Sequence, residues 1–393
     1  MDMAEQSDFL AGAKVVDVDT HLSEPHDLWT ARAPARLRDR VPQVRQVNGK
    51  AAWFIDGDRY LGIDYPISTI RKDGSPTYGT EHIAFQMEDV HPASYDGAAR
   101  VRLLDEQGIW AQVIYPNIMG FQGRIAARVD PELRLVSVQL YNDAVAEMQR
   151  ASANRLVPMA VLPWWDIDLS IKEAERVAGL GMRGVSINPE PHLTGGLDLG
   201  DPAWDPFWSA CGSLDLPVSF HIGSSDSSYT MFTDGAWPSL SREENMAVGG
   251  ANVFLGNVGM ILNIIMSGVL ERHPDVRIVS VESGLGWVPF ILNALDYQVR
   301  HAGASSATKI KLTPSEYFTR QCYATFWFEG DHLAEFVRML GPDICMFETD
   351  FPHPVCLYPD PVGKLRPALE GLSPTDRGKI MGGNAMKLYR LES

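Results

Sequence analysis

Val15–Trp29 reads VVDVDTHLSEPHDLW, an apolar strand that runs straight into acidic residues and histidines. Side chains alternate along a strand, so Asp17, Asp19 and His21 are expected on one face, with Asp17 a layer below the other two. An Asp-x-His pair at a strand end can grip one cation from adjacent rungs. Partners for it stand far along the chain. His221 follows the apolar run PVSF, Glu282 ends VRIVSV, and Asp350 ends ICMFET with Glu348 below it. An imidazole behind an apolar run is costly to bury unless something binds it. Asp19, His21, His221, Glu282 and Asp350 are therefore the candidate ligands of one or two divalent ions. Two imidazoles with two or three carboxylates suit zinc, expected first, and keep iron and manganese open.

The elements that must carry these groups are short β-branched runs alternating with helical segments. Strands are expected at 15–21, 111–116, 156–163, 183–190, 217–224, 276–283, 322–329 and 344–352. Helices are expected at 131–154, 169–179, 202–214, 251–272, 285–301 and 333–340, with a last one opened by Ser373 and Pro374. Eight strand–helix units predict an α/β fold, a single (β/α)8 TIM barrel over 1–393. Two segments interrupt it: an insertion at 34–92 after the first strand, and a lid-like loop at 224–250 after the fifth. In a barrel both leave from the strand ends where active sites lie.

Bulk properties narrow the function. A formal charge of −16 leaves no basic excess to neutralise phosphates, which argues against nucleic acid and anionic membranes as partners. The N-terminus has no basic segment followed by an apolar run, so no signal peptide is expected. The apolar stretch 253–270 is broken by asparagines and glycines and reads as a buried helix. Cys211, Cys322, Cys345 and Cys356 are dispersed and read as reduced thiols of a cytoplasmic protein.

DVDTHLSEPHDLW, SFHIG, SGVLERHPDVRIVSVESGLGWVPFIL, ETDFPHP and IMGGNAMKLYRL together resemble the amidohydrolase superfamily. The likeness is to the branch typified by aminocarboxymuconate-semialdehyde decarboxylase, and it runs from Val16 to Leu391. It implies a metal-dependent barrel, often dimeric, that hydrolyses or decarboxylates small carboxylic or cyclic substrates. Carried over by position, the family's first-strand ligand pair falls on Asp19 and His21, its fifth-strand histidine on His221 and its eighth-strand aspartate on Asp350. Where the decarboxylases carry a sixth-strand histidine, this chain has Glu282.

That departure favours hydrolysis, because a carboxylate repels a departing carboxylate. The leading expectation is a hydrolase using metal-activated water on an ester, amide, lactone or thioester. Asp350 would take the water's proton, with His221 and Glu282 as further catalytic groups. The alternatives are a non-oxidative decarboxylase of an aromatic or muconate-type acid and a non-catalytic barrel. Tyr115, Asn188, Trp237, Trp327 and His353 are candidate substrate contacts for an apolar or aromatic small molecule. Glu24 is expected to hydrogen-bond a ligand histidine from behind, and a homodimer is expected.

Overall fold

The computed structural model describes residues 3–47, 49–121, 128–233, 237–301 and 309–391. Its strands are β1 (Val15–His21), β2 (Gln43–Val47), β3 (Lys50–Ile55), β4 (Arg59–Asp64), β5 (Ile109–Tyr115) and β6 (Leu156–Pro158). They continue with β7 (Ala160–Val161), β8 (Val185–Ser186), β9 (Val218–His221), β10 (Ile278–Val281), β11 (Cys322–Phe326) and β12 (Cys345–Phe347).

β1, β5 and β6 form one parallel ladder, and β7 to β12 form another. β6 and β7 are one strand interrupted at Met159, so the two ladders share it. A parallel bridge from Thr20 to Phe351 joins β1 to the chain beyond β12. The Asp350 amide donates to Asp19 O at 2.9 Å and the His21 amide to Phe351 O at 2.8 Å, which closes the ring. The result is the expected (β/α)8 barrel. β1 spans the expected 15–21 and β5 starts two residues early, while the strands from β6 to β12 are shorter than their apolar runs, because the ends that reach the mouth leave the ladder.

Apolar side chains fill both layers. Val16, Val18, Val113, Tyr115, Val279, Val281, Met346 and Tyr389 form one cluster. A larger cluster packs the strand faces opposite them against the helices. β2, β3 and β4 form a separate antiparallel sheet after β1. Its Trp53 packs edge-on against Trp29, which ties it to the barrel.

Two expectations at the level of elements are corrected. Much of 224–250 is helix, not loop: Asp226–Thr233, then a helix from Arg242 to Val253. The second starts at a capping box, with Ser241 Oγ accepting from the Glu244 amide and Glu244 accepting from the Ser241 amide. The expected helix 251–272 is three, Arg242–Val253, Val258–Met266 and Val269–Arg272. Arg242–Met266 is long and apolar enough by composition to cross a membrane. It breaks at 254–257, however, and Met260, Ile261, Ile264 and Ile265 are buried in the core.

Candidate metal centre and active site

Asp19 and His21 end β1, His221 ends β9, Glu282 follows β10 and Asp350 follows β12, all at the C-terminal mouth. Four of the five are almost completely buried, and the Glu282 side chain is 15% exposed. His221 Nε2 lies 3.4 Å from Asp19 Oδ1, 3.4 Å from Glu282 Oε2 and 3.2 Å from His21 Nε2. His21 Nε2 lies 3.7 Å from Asp19 Oδ1 and 3.6 Å from Asp350 Oδ1. The structure thus brings together all five residues chosen as ligands from the sequence.

Backbone strain does part of the aiming. Val279 and Val281 share the interior cluster, so strict alternation would turn Glu282 away from it. Glu282 instead adopts φ 55°, a left-handed conformation disfavoured for a residue with a Cβ. Its amide is held by Thr325 Oγ1 at 3.1 Å and Glu348 Oε2 at 3.3 Å. Asp350 is left-handed too, at φ 59°.

Asp17 departs from expectation. The β1 register shifts between Asp17 and Thr20, and the Asp17 carboxylate leaves the pocket side. It accepts from Gln112 Nε2 at 2.8 Å and from Thr349 N and Oγ1 at 2.9 and 2.6 Å. Gln112 in turn accepts from the buried Arg100, which also donates to Ala93 O and His21 O. Asp17 is thereby a support behind β1, and burial pushes its pKa up to about 7.

The donor chemistry suits a cation. His221 Nδ1 lies 2.7 Å from Ile222 O and donates there, so Nε2 is the atom turned to the pocket and is the one that would bind an ion. Nε2 faces two carboxylate oxygens and a second imidazole nitrogen. Both Asp19 oxygens and Asp350 Oδ1 are buried without a hydrogen-bond partner. Ligands at about 2.0–2.2 Å from one ion are separated by roughly 3.0–3.5 Å, and the spacings here are 3.2–3.7 Å. These residues fit a divalent ion.

The crowding of acids shows in their protonation. Burial first, then the Asp350 charge, raises the Glu282 pKa well above the usual carboxylate range. Burial followed by Asp19 does the same for Asp350 and for Glu348 beneath it. Burial and the neighbouring His353 and His221 lower His21. Burial also opposes charge on His221, but Asp19 and Glu282 outweigh it and lift its pKa to about 9.

The remaining sequence candidates divide. His353 stacks on His21 with ring centroids 3.8 Å apart, and its Nδ1 is 3.2 Å from Asp350 Oδ1. Tyr115 lies under the histidines, its ring 5.1 Å from that of His221. Asn188 is buried and accepts from the Glu190 amide in a turn. Trp327 is buried against Phe254 and Phe328. Trp237 is 59% exposed, on the surface. Glu24 touches no ligand histidine: it accepts from the Asn117 and Ile118 amides at 2.8 and 3.0 Å and from Asn117 Nδ2 at 3.3 Å.

Sequence reasoning missed Phe121, whose ring lies 5.1 Å from His221 and 5.8 Å from His21 as an apolar wall. It also missed Asn117 and Arg100. None of the three has a local signal, since each matters only through residues brought close by folding.

Comparison with known proteins decides the family. The amidohydrolase family model matches residues 16–391, nearly the whole chain. The chain belongs to the amidohydrolase family. Among curated amidohydrolase relatives, the gamma-resorcylate decarboxylase of Polaromonas sp. strain JS666 is 26% identical over 304 residues, 74% of this chain and 86% of that protein. The 2-amino-3-carboxymuconate-6-semialdehyde decarboxylase of Dictyostelium discoideum is 22% identical over 302 residues, 76% of this chain and 77% of that one. Solved amidohydrolase folds superpose well. One from Mycobacterium avium subsp. paratuberculosis K-10 has a TM-score of 0.78 at 24% identity, covering 96% of this chain and 98% of that one. The dihydroxybenzoic acid decarboxylase of Polaromonas sp. JS666, with bound manganese, has a TM-score of 0.59 at 18% identity, covering 97% and 98%.

The expectation of hydrolysis is overturned by these relatives, which are named as decarboxylases. The electrostatic argument from Glu282 failed because it took that residue as ionised. Burial and the adjacent Asp350 favour its neutral form.

Proposed function

We propose that this protein is a metal-dependent non-oxidative decarboxylase of an aromatic acid. The observation that carries the reading is the convergence of Asp19, His21, His221 and Asp350 on one point, beside a Glu282 carboxyl whose pKa burial and Asp350 raise. The relatives named as decarboxylases support the reaction type.

A divalent ion held by Asp19, His21, His221 and Asp350 would supply positive charge for the substrate's carboxylate and a neighbouring oxygen. The bond between ring carbon and carboxylate breaks, CO₂ departs, and the electron pair stays on the ring carbon. Glu282 then gives its proton to that carbon, acting as general acid with a pKa raised by burial. Phe121 and Tyr115 supply apolar walls against the histidines, which suits an aromatic ring and keeps water from the carbanionic carbon.

Zinc was the first expectation for the ion. Two carboxylates beside two imidazoles suit manganese equally, and the Polaromonas neighbour holds it. The covering segment at 224–250, a homodimer and a cytoplasmic setting belong to the same reading. All four cysteines are free, which fits a reducing compartment.

The test is a panel of hydroxybenzoic and other aromatic acids, with activated esters and thioesters alongside, offered to protein loaded with Mn²⁺ or Zn²⁺. CO₂ and the matching arene are expected from at least one acid, and lost in His221→Ala. Turnover of the esters with no CO₂ from any acid would reject the proposal.

A further inference from the structure

One set of contacts behind the pocket is not used by the chemistry above. Asn117 Nδ2 faces two acceptors, Leu22 O at 3.1 Å and Glu24 Oε2 at 3.3 Å. Turning the amide over would set its oxygen against both, so the orientation is fixed by its surroundings. Asn117 Oδ1 therefore points the other way, to His353 Nε2 at 3.0 Å. An amide oxygen can only accept, so Nε2 of that imidazole must carry the hydrogen. A neutral His353 then has its lone pair on Nδ1, the atom 3.2 Å from Asp350 Oδ1. The ring stacks on His21 with planes 14° apart, and turning it over would break the Asn117 contact.

We infer that Asn117, anchored by Glu24, is a positioning residue that sets the tautomer of His353 and so turns a proton-free Nδ1 toward Asp350 at the edge of the metal centre. Two lone pairs facing each other at 3.2 Å are stable only with a proton or a cation close by. The chain thereby adds an acceptor to a pocket built from acceptors and raises its preference for a cation. His21, Asp350 and His353 already offer ligand-type atoms within 4.8 Å of one another. Glu24 accepts from two backbone amides as well as from Asn117, so the anchor is part of the fold and does not wait for a ligand.

The tautomer is read directly by long-range ¹H–¹⁵N correlation spectra of ¹⁵N-histidine protein in the metal-free state. These need no substrate, so they stand apart from the decarboxylase reading. The His353 resonances are assigned by their loss in His353→Gln. The native protein is expected to show His353 protonated at Nε2 only, and Asn117→Leu to show a mixture of tautomers. Mn²⁺ affinity, measured by titration against the free ion's electron-spin signal, is expected to fall about 10–100-fold in Asn117→Leu, the usual cost of losing such a supporting contact. Glu24→Gln, which keeps an acceptor for the two backbone amides, serves if Asn117→Leu does not fold, and is expected to give a smaller shift the same way. A native His353 protonated at Nδ1 would overturn the inference, as would a folded Asn117→Leu with the native tautomer and native Mn²⁺ affinity.

Discussion

His21 and His221 stand with their Nε2 atoms 3.2 Å apart, although one ends the first barrel strand and the other the fifth. The Ile222 carbonyl takes the Nδ1 proton of His221, so Nε2 faces His21 and Asp19, where either a proton or a metal ion brings the groups together. His221→Ala removes one donor and leaves the Asp19 carboxylate with less compensation. Metal content measured by elemental analysis after dialysis is expected to fall from near one equivalent to a small residue, with decarboxylation lost alongside. Full metal content in the variant would show that the ion, if any, binds elsewhere.

Glu282 is the next test, because its proton is assigned to the ring carbon. Glu282→Gln keeps the shape and removes the acid. Turnover at saturating substrate is expected to drop by about 10²–10⁴-fold, the range for a positioned general acid, with metal content unchanged. Loss of metal in step with activity would instead make Glu282 a ligand.

Arg100 is fully buried, and its Nε, Nη1 and Nη2 donate to Ala93 O, Gln112 Oε1 and His21 O. Arg100→Met keeps the apolar stem but removes the guanidinium that lies over Phe351 and leaves those acceptors unpaired. Each lost charged hydrogen bond costs about 1.5–3 kcal/mol, so the variant is expected to lose several kcal/mol in chemical denaturation. A loss under about 1 kcal/mol would mean that water replaces the guanidinium.

How much of this was legible in the sequence follows from which physics is local. Strand periodicity and strand-end placement are local, and they gave Asp19, His21, His221, Glu282 and Asp350 together. Asp17 was misplaced because a register shift between β1 and β5 is a property of two paired strands and cannot be read from one. The helices within 224–250 were hidden because Ser, Gly and Asp are common there, although the Ser241–Glu244 capping box is visible in the sequence. Trp237 was chosen for its residue type, which says nothing about burial. Asn117 and Glu24 meet through the Glu24 carboxylate, which accepts from the backbone and side-chain amides of Asn117, and no spacing rule announces that.

Glu24 also gives a pH prediction. Burial raises its pKa from 4.5 to about 7, against the amides that stabilise its charge. A carboxyl with a raised folded pKa favours the folded state below its unfolded value. That advantage is lost as pH climbs from about 4.5 through 7. Each tenfold gain in proton affinity on folding is equivalent to roughly 1.4 kcal/mol, so the loss is on the order of 3 kcal/mol. Glu24→Gln does not titrate. Its stability relative to the native protein, from denaturant midpoints in metal-free buffer, is expected to improve between pH 5 and 7 and level off above. A difference flat across that range would mean that Glu24 ionises at its ordinary pKa.

Lys379–Gly383 is a π-helical turn packed against β1, where Gly382 touches the chain at Lys14–Val16. A Cβ at Gly382 would run into the Lys14 carbonyl oxygen and lie 2.9 Å from Lys14 C and 3.1 Å from Val16 N. These are backbone atoms of the first residues of β1 and of Lys14 just before it, so they cannot yield without moving the strand that carries Asp19 and His21. Gly382→Ala is therefore expected to destabilise by about 1–3 kcal/mol or more, the range for overpacking a tight site, and to weaken metal binding as β1 shifts. Gly250, inside the helix Arg242–Val253, has nothing within 4 Å of an added Cβ. Gly250→Ala is expected to stabilise by about 0.5–1 kcal/mol through reduced backbone entropy of the unfolded chain. Thermal melts of both variants decide it: equal melting temperatures would show that β1 and the π-helical turn are not in the close contact described.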